Sequence, residues 1–117
     1  MDSGLARLYD ALSFIRETVG VDVPIQQVLI LLLVGERKSD NPITMPEVGL
    51  KLQMTQGSVS RNIRMLSRFA DTAKGTFRGY DLISAAPDLF ERRRLALRLT
   101  PKGEEVIKGL EKEMSIR

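Results

Sequence analysis

Thr44 to Arg68 reads TMPEVGLKLQMTQGSVSRNIRMLSR, and this stretch decides the fold. Thr44 stands three residues before Glu47 with Pro46 between them, the pattern of a reciprocal cap opening a helix. Val48 and Leu52 give that short helix an apolar side. Met54-Thr55 closes it, and the Thr55 hydroxyl is placed to cap a second helix from about Gln56 to Phe69. Val59, Ile63 and Leu66 recur at helical spacing and form its inner stripe. Ser58, Arg61, Asn62, Arg64 and Arg68 fall off that stripe and face solvent or a ligand. Two helices joined by so tight a turn, the second polar and basic, match the pattern that lays a helix in the major groove of DNA. Arg61 suits a bidentate bond to a guanine edge, Gln56 or Asn62 an adenine, and Ser58 and Ser60 a phosphate or base. Gly57 lets a phosphate approach the backbone, where the free N–H groups of a first helical turn favour an anion. A helical hairpin with arginines can equally be a plain solvated surface, so the flanking sequence has to decide.

On the C-terminal side, Ala70 to Gly79 reads as a loop. Tyr80–Ser84 and Arg94–Leu99 read as short strands, the second from the alternation of Leu95, Leu97 and Leu99 with Ala96 and Arg98. Between them Ala85 to Arg93 forms a hairpin tip with Pro87-Asp88 at its turn. Arg92, Arg93 and Arg94 cluster at the far end, where a guanidinium suits the negative potential of a narrow minor groove. Glu91 is placed to orient one of them. Thr100-Pro101 caps a last helix with the stripe Val106, Ile107, Leu110 and Met114. On the N-terminal side, Leu5, Leu8, Leu12, Ile15 and Val19 form a one-sided helical stripe. Pro24 opens a further helix whose body, Gln27 to Gly35, is almost wholly apolar, as in a helix buried on all sides. A buried strand is the rival for so short a run. Arg37 to Pro42 is a loop. The expected order is four helices, a hairpin and a fifth helix: a mainly α winged helix-turn-helix in one domain, residues 1–117. Its helix-turn-helix covers about 44–69, its wing about 80–99 and its terminal helices about 4–19 and 101–115.

Charge follows the same division. Residues 1–43 carry 4 basic and 6 acidic side chains, residues 44–103 carry 11 and 5, and residues 104–117 carry 3 and 4. The basic middle is the footprint of a polyanion-binding surface. The chain has no cysteine and no histidine. That excludes thiol nucleophiles, the usual structural zinc sites and the commonest acid–base group near neutral pH. Asp81, Asp88 and Glu91 have no nucleophile, metal-ligand set or phosphate-cradling loop beside them, so an enzyme is not expected, nor any cofactor or metal. Met45, Met54 and Met65 read as core filler. Four Phe and two Tyr offer no stacking platform for RNA. The apolar run Val28–Val34 is too short to cross a bilayer, and the N-terminus lacks a signal-peptide pattern, so the cytoplasm is the default.

From Pro24 to Gly103 the sequence resembles the MarR-type winged-helix regulators. Pro24–Leu29 is similar to the start of that family's second helix and Val48–Arg61 to its helix-turn-helix. Asp88–Arg93 followed by Leu97-Arg98-Leu99-Thr100-Pro101-Lys102-Gly103 is similar to its wing and the helix after it. The resemblance implies a dimeric regulator of double-stranded DNA, a repressor that excludes polymerase. Gln56, Ser58, Ser60 and Arg61 would lie in its recognition helix and Arg92 or Arg93 in its wing. The DNA-facing set expected here is Thr55, Gln56, Gly57, Ser58, Ser60, Arg61, Asn62, Arg64, Arg68, Arg92, Arg93 and Arg94. The sequence departs from the pattern in three places. Glu91 stands where Asp is usual, the connection from Leu66 to Tyr80 is long, and the chain stops at Arg117 without the family's long final helices. The expected homodimer interface is therefore the two terminal stripes, Leu5, Leu8, Leu12, Ile15, Val19, Val106, Leu110 and Met114, with packing on the chain's own core as the rival. A small-molecule or protein effector is left unassigned. A protein-interaction module and a replication or partition factor of phage or plasmid are the competing functions.

Overall fold

A computed structural model describes residues 3–72 and 75–115. The element order is α1 (Gly4–Thr18), α2 (Ile25–Glu36), β1 (Ile43–Thr44), α3 (Met45–Leu52), α4 (Gln56–Leu66), β2 (Phe69–Thr72), β3 (Gly75–Arg78), β4 (Ile83–Pro87), β5 (Leu95–Leu99) and α5 (Pro101–Met114). This is the expected winged helix-turn-helix. The three predicted threonine caps are present: Thr44 accepts from Glu47 N–H in a full capping box, Thr55 from Ser58 N–H, and Thr100 from Gly103 N–H. Each satisfies an N–H that the first turn of a helix otherwise leaves unpaired.

The core lies where α2, α3 and α4 meet the sheet. Ile30, Leu31, Ile43, Val48, Val59, Ile63, Leu66, Leu82, Ile83 and Leu97 are buried together there. α1 and α5 pack against each other over Phe14 and Gly109, where a Cβ at Gly109 would collide with the Phe14 ring. The sheet runs β1-β5-β4, all antiparallel, with Ile43 opposite Leu97 and Pro87 opposite Leu95.

Five features differ from the sequence reading. β1 is a two-residue strand, too short to carry a periodicity, and it adds a third strand to the wing sheet. α4 stops at Leu66, not near Phe69. The N–H groups of Tyr80, Asp81 and Leu82 donate to the carbonyls of Met65, Ser67 and Leu66, so the returning chain seals the end of the helix. Those residues are spent on the seal, and β4 begins at Ile83 rather than Tyr80. A Cβ at Gly79 would collide with the Ser67 carbonyl oxygen, so only glycine fits at this crossing. The segment read as a loop is instead a hairpin, β2 paired with β3. It leaves and rejoins the chain at one point, where Gly79 N–H donates to the Arg68 carbonyl at 3.0 Å. Finally, α2 is not buried on all sides. Ile25, Leu29 and Leu32 are exposed, so its apolar composition reflects two faces with different neighbours.

Candidate nucleic-acid interface

α4 is fixed from below by Val59, Ile63 and Leu66, all buried, and at its start by the Thr55 cap. Its outer face carries Arg61 and Arg64, both exposed, with Ser58 and Ser60 half-buried beside them. The Arg61 guanidinium lies back along the helix beside Gly57, where a Cβ would stand 3.4 Å from its Nη1. Long helical side chains lean toward the N-terminus in this way. The cation therefore sits close to the first-turn N–H groups, and the two together concentrate positive potential at one end of α4. Among the described residues neither Arg61 nor Arg64 has an ion-pair partner. Arg68 is exposed beyond the end of α4.

The two carboxamides offered for adenine are engaged inside the chain. Asn62 Nδ2 donates to the Ser58 carbonyl at 2.8 Å, and its Oδ1 accepts from Gln27 Nε2 at 3.2 Å, tying α4 to α2. Gln27 is buried. Gln56 Nε2 donates to the Met45 carbonyl, and its amide passes so close to Gly49 that a Cβ there would collide with it. The turn between α3 and α4 places Gln53 in the left-handed region, with φ of 55°. Behind the corner Arg37 Nη2 donates to Glu47 Oε2 at 2.7 Å, and this bond is the main reason the Glu47 carboxyl titrates below its ordinary value.

The wing tip is organised by two carboxylates. Asp88, a buried residue, accepts from Arg94 Nε at 2.9 Å, and this bond chiefly lowers its pKa. The nearby backbone of Glu91 and Phe90 lowers it further. Asp88 N–H donates to the Arg94 carbonyl and Arg94 N–H to the Glu91 carbonyl, closing the turn. Glu91 accepts from Arg93 Nε at 3.2 Å and from Arg93 N–H, and its pKa is lowered by the Arg93 side chain first and the Arg93 amide second. The three arginines grouped in the sequence therefore separate. Arg94 is committed to Asp88, Arg93 is oriented by Glu91 while staying open to solvent, and Arg92 is exposed. Sequence reasoning missed Asp88 as the clamp; its signal was an Asp at the start of a turn, six residues from its arginine.

The residues expected at a dimer interface divide as well. Ile15, Val106 and Leu110 are buried in the chain's own core and Val19 packs against it. Leu5, Leu8, Leu12 and Met114 are exposed. Leu8, Leu12 and Met114 join Leu32 of α2 along an apolar groove of about 350 Å³ between α1, α2 and α5. Among the described residues no acidic cluster could hold a metal ion, and no helix is long and apolar enough to cross a membrane.

The sequence matches no protein-family model and no curated protein. The fold does match solved structures. MarR superposes with a TM-score of 0.61 at 24% identity, covering 92% of this chain and 69% of that one. The MepR–DNA complex of S. aureus gives 0.68 at 21% identity, with 91% and 73% covered. Overoxidized AbfR bound to DNA gives 0.61 at 16%, with 94% and 70% covered. At these identities the likeness establishes a common fold, the MarR-type winged helix-turn-helix.

Proposed function

We propose that this chain is a sequence-specific regulator of double-stranded DNA that acts as a homodimer, with α4 in the major groove and the wing in the minor groove. The observation that carries the reading is the sorting of arginines on a fold also seen in DNA-bound MepR and AbfR. Arg37, Arg94 and Arg98 are tied within the chain, whereas among the described residues Arg61 and Arg64 on α4 stand without ion-pair partners. Exposed cations on that face suit a polyanion such as DNA. Arg61, with Ser58 and Ser60, reads bases; Arg64, Gly57 and the Thr55-capped first turn hold phosphates; Gln56 and Asn62 brace the corner. Arg93, held by Glu91, enters the minor groove and Arg92 supports it. Repression follows if the bound dimer covers a promoter.

The dimer would form over the exposed leucines of α1 and Met114 of α5, which leave the apolar groove open in one chain. Such a contiguous apolar surface is the kind that partner association covers.

Selection of bound fragments from a random duplex library, with salt titration of the winners, tests the reading. A palindromic motif with half-sites about one helical turn apart is expected. Binding with a steep salt slope but no motif would reduce the activity to a non-specific polyanion contact, and no binding would overturn the proposal.

A further inference from the structure

The wing tip carries two large, exposed apolar side chains: Leu89 is 75% exposed and Phe90 is 91% exposed. Single exposed apolar residues are ordinary, but an adjacent pair at the end of a projecting hairpin is a concentrated apolar point. It is also held in place. Asp88 N–H donates to the Arg94 carbonyl, Arg94 N–H to the Glu91 carbonyl and Arg94 Nε to the Asp88 carboxylate, so the turn that carries Phe90 is closed on both sides before any partner arrives. Arg92 and Arg93 follow within three residues, both exposed.

We propose that Phe90, backed by Leu89, is a wedge that enters the minor groove and partly unstacks one base step, bending the duplex. This rests on the DNA-binding reading above. An apolar point flanked by exposed guanidinium groups fits a surface that is anionic at its rim and apolar between its stacked planes, which a duplex is and a second copy of this tip is not. Minor-groove proteins use Phe and Leu in this way, kinking DNA at flexible pyrimidine–purine steps. The wedge thus adds to the groove-width preference of the arginines a second preference, set by the deformability of the step it opens.

The test uses the full chain and the tightest duplex from the random library, labelled at its ends for energy transfer and carrying 2-aminopurine at its pyrimidine–purine steps. Wild type is expected to shorten the end-to-end distance and raise 2-aminopurine fluorescence at one step. Phe90→Ala should lose both signals and about tenfold in affinity while keeping the major-groove motif, and Phe90→Leu should restore part of each. Phe90 is exposed, so circular dichroism of both variants should match wild type. If Phe90→Ala binds and bends as wild type does, the wedge is overturned and the DNA-binding reading stands. If wild type binds no duplex, both are overturned. Self-association without DNA that Phe90→Ala abolishes, with bending unchanged, would also overturn the wedge and assign the tip to a second copy.

Discussion

The α3–α4 corner and the wing tip both present exposed arginines, but they are held by opposite means. In the corner, Val48, Val59, Ile63 and Leu66 are buried, and the helix beneath Arg61 is positioned by packing. At the tip the ordering contacts beyond the strands are polar: Asp88 with Arg94, Glu91 with Arg93, and short turn bonds around them. Burial is insensitive to pH and costly to disturb. Carboxylate clamps are individually weak and vanish on protonation. The corner is therefore the fixed reference of the proposed interface, and the wing is the part that conditions can loosen.

The contrast can be broken most severely from the core. Leu66→Ala removes a side chain that is only 1% exposed and should destabilise the chain by about 2–5 kcal/mol, measured by denaturant unfolding. An exposed wing substitution such as Arg92→Ala should leave unfolding unchanged. Next comes Arg61→Ala, expected to cost roughly 1–3 kcal/mol of DNA binding and to relax preference at one base position without altering stability. Fluorescence anisotropy against a panel of single-base variants would show this; intact affinity and preference would remove Arg61 as the reader. Thr55→Ala should cost about 1 kcal/mol of stability through the lost cap, readable as a lower unfolding midpoint.

Acid should then separate the two regions. Asp88 and Glu91 both have pKa values lowered on folding from ordinary values of 3.8 and 4.5. Their contribution to wing order is complete above those values and is lost as pH falls through the lower folded values. NMR amide shifts of Phe90 to Arg94 should move in that window before those of Val59 to Leu66; simultaneous loss would show that the wing is not held by its carboxylates. The smallest effect is expected from Arg93→Ala, which should weaken binding more on A·T-rich flanks than on G·C-rich ones. Equal loss on both would argue against a minor-groove contact.

The same division explains what the sequence makes legible. Caps act over three residues, so Thr44, Thr55 and Thr100 announce three helix starts, and alternation around Leu95, Leu97 and Leu99 announces the wing. Contacts that depend on the finished fold leave no such local sign. Asn62 is tied to Gln27 from 35 residues away, Arg94 is taken by Asp88 only once the turn closes, and β1 owes its existence to pairing with β5. The hairpin of β2 and β3 spans only four residues a side between polar and glycine positions, too little for a period to show. Apolar composition cannot distinguish a buried helix from one with an open apolar face, so the exposed side of α2 at Ile25, Leu29 and Leu32 leaves no mark in the sequence.

In the proposed complex α4 and the wing engage one duplex in two grooves. Hydroxyl-radical footprinting of the tightest library duplex, with wild type and Arg93→Ala side by side, tests it most directly. Wild type should protect a central region over the motif and minor-groove positions on either flank, and Arg93→Ala should lose only the flanks. Flanking protection that survives the substitution, or a footprint that vanishes as one, would mean that the wing and α4 do not occupy separate grooves.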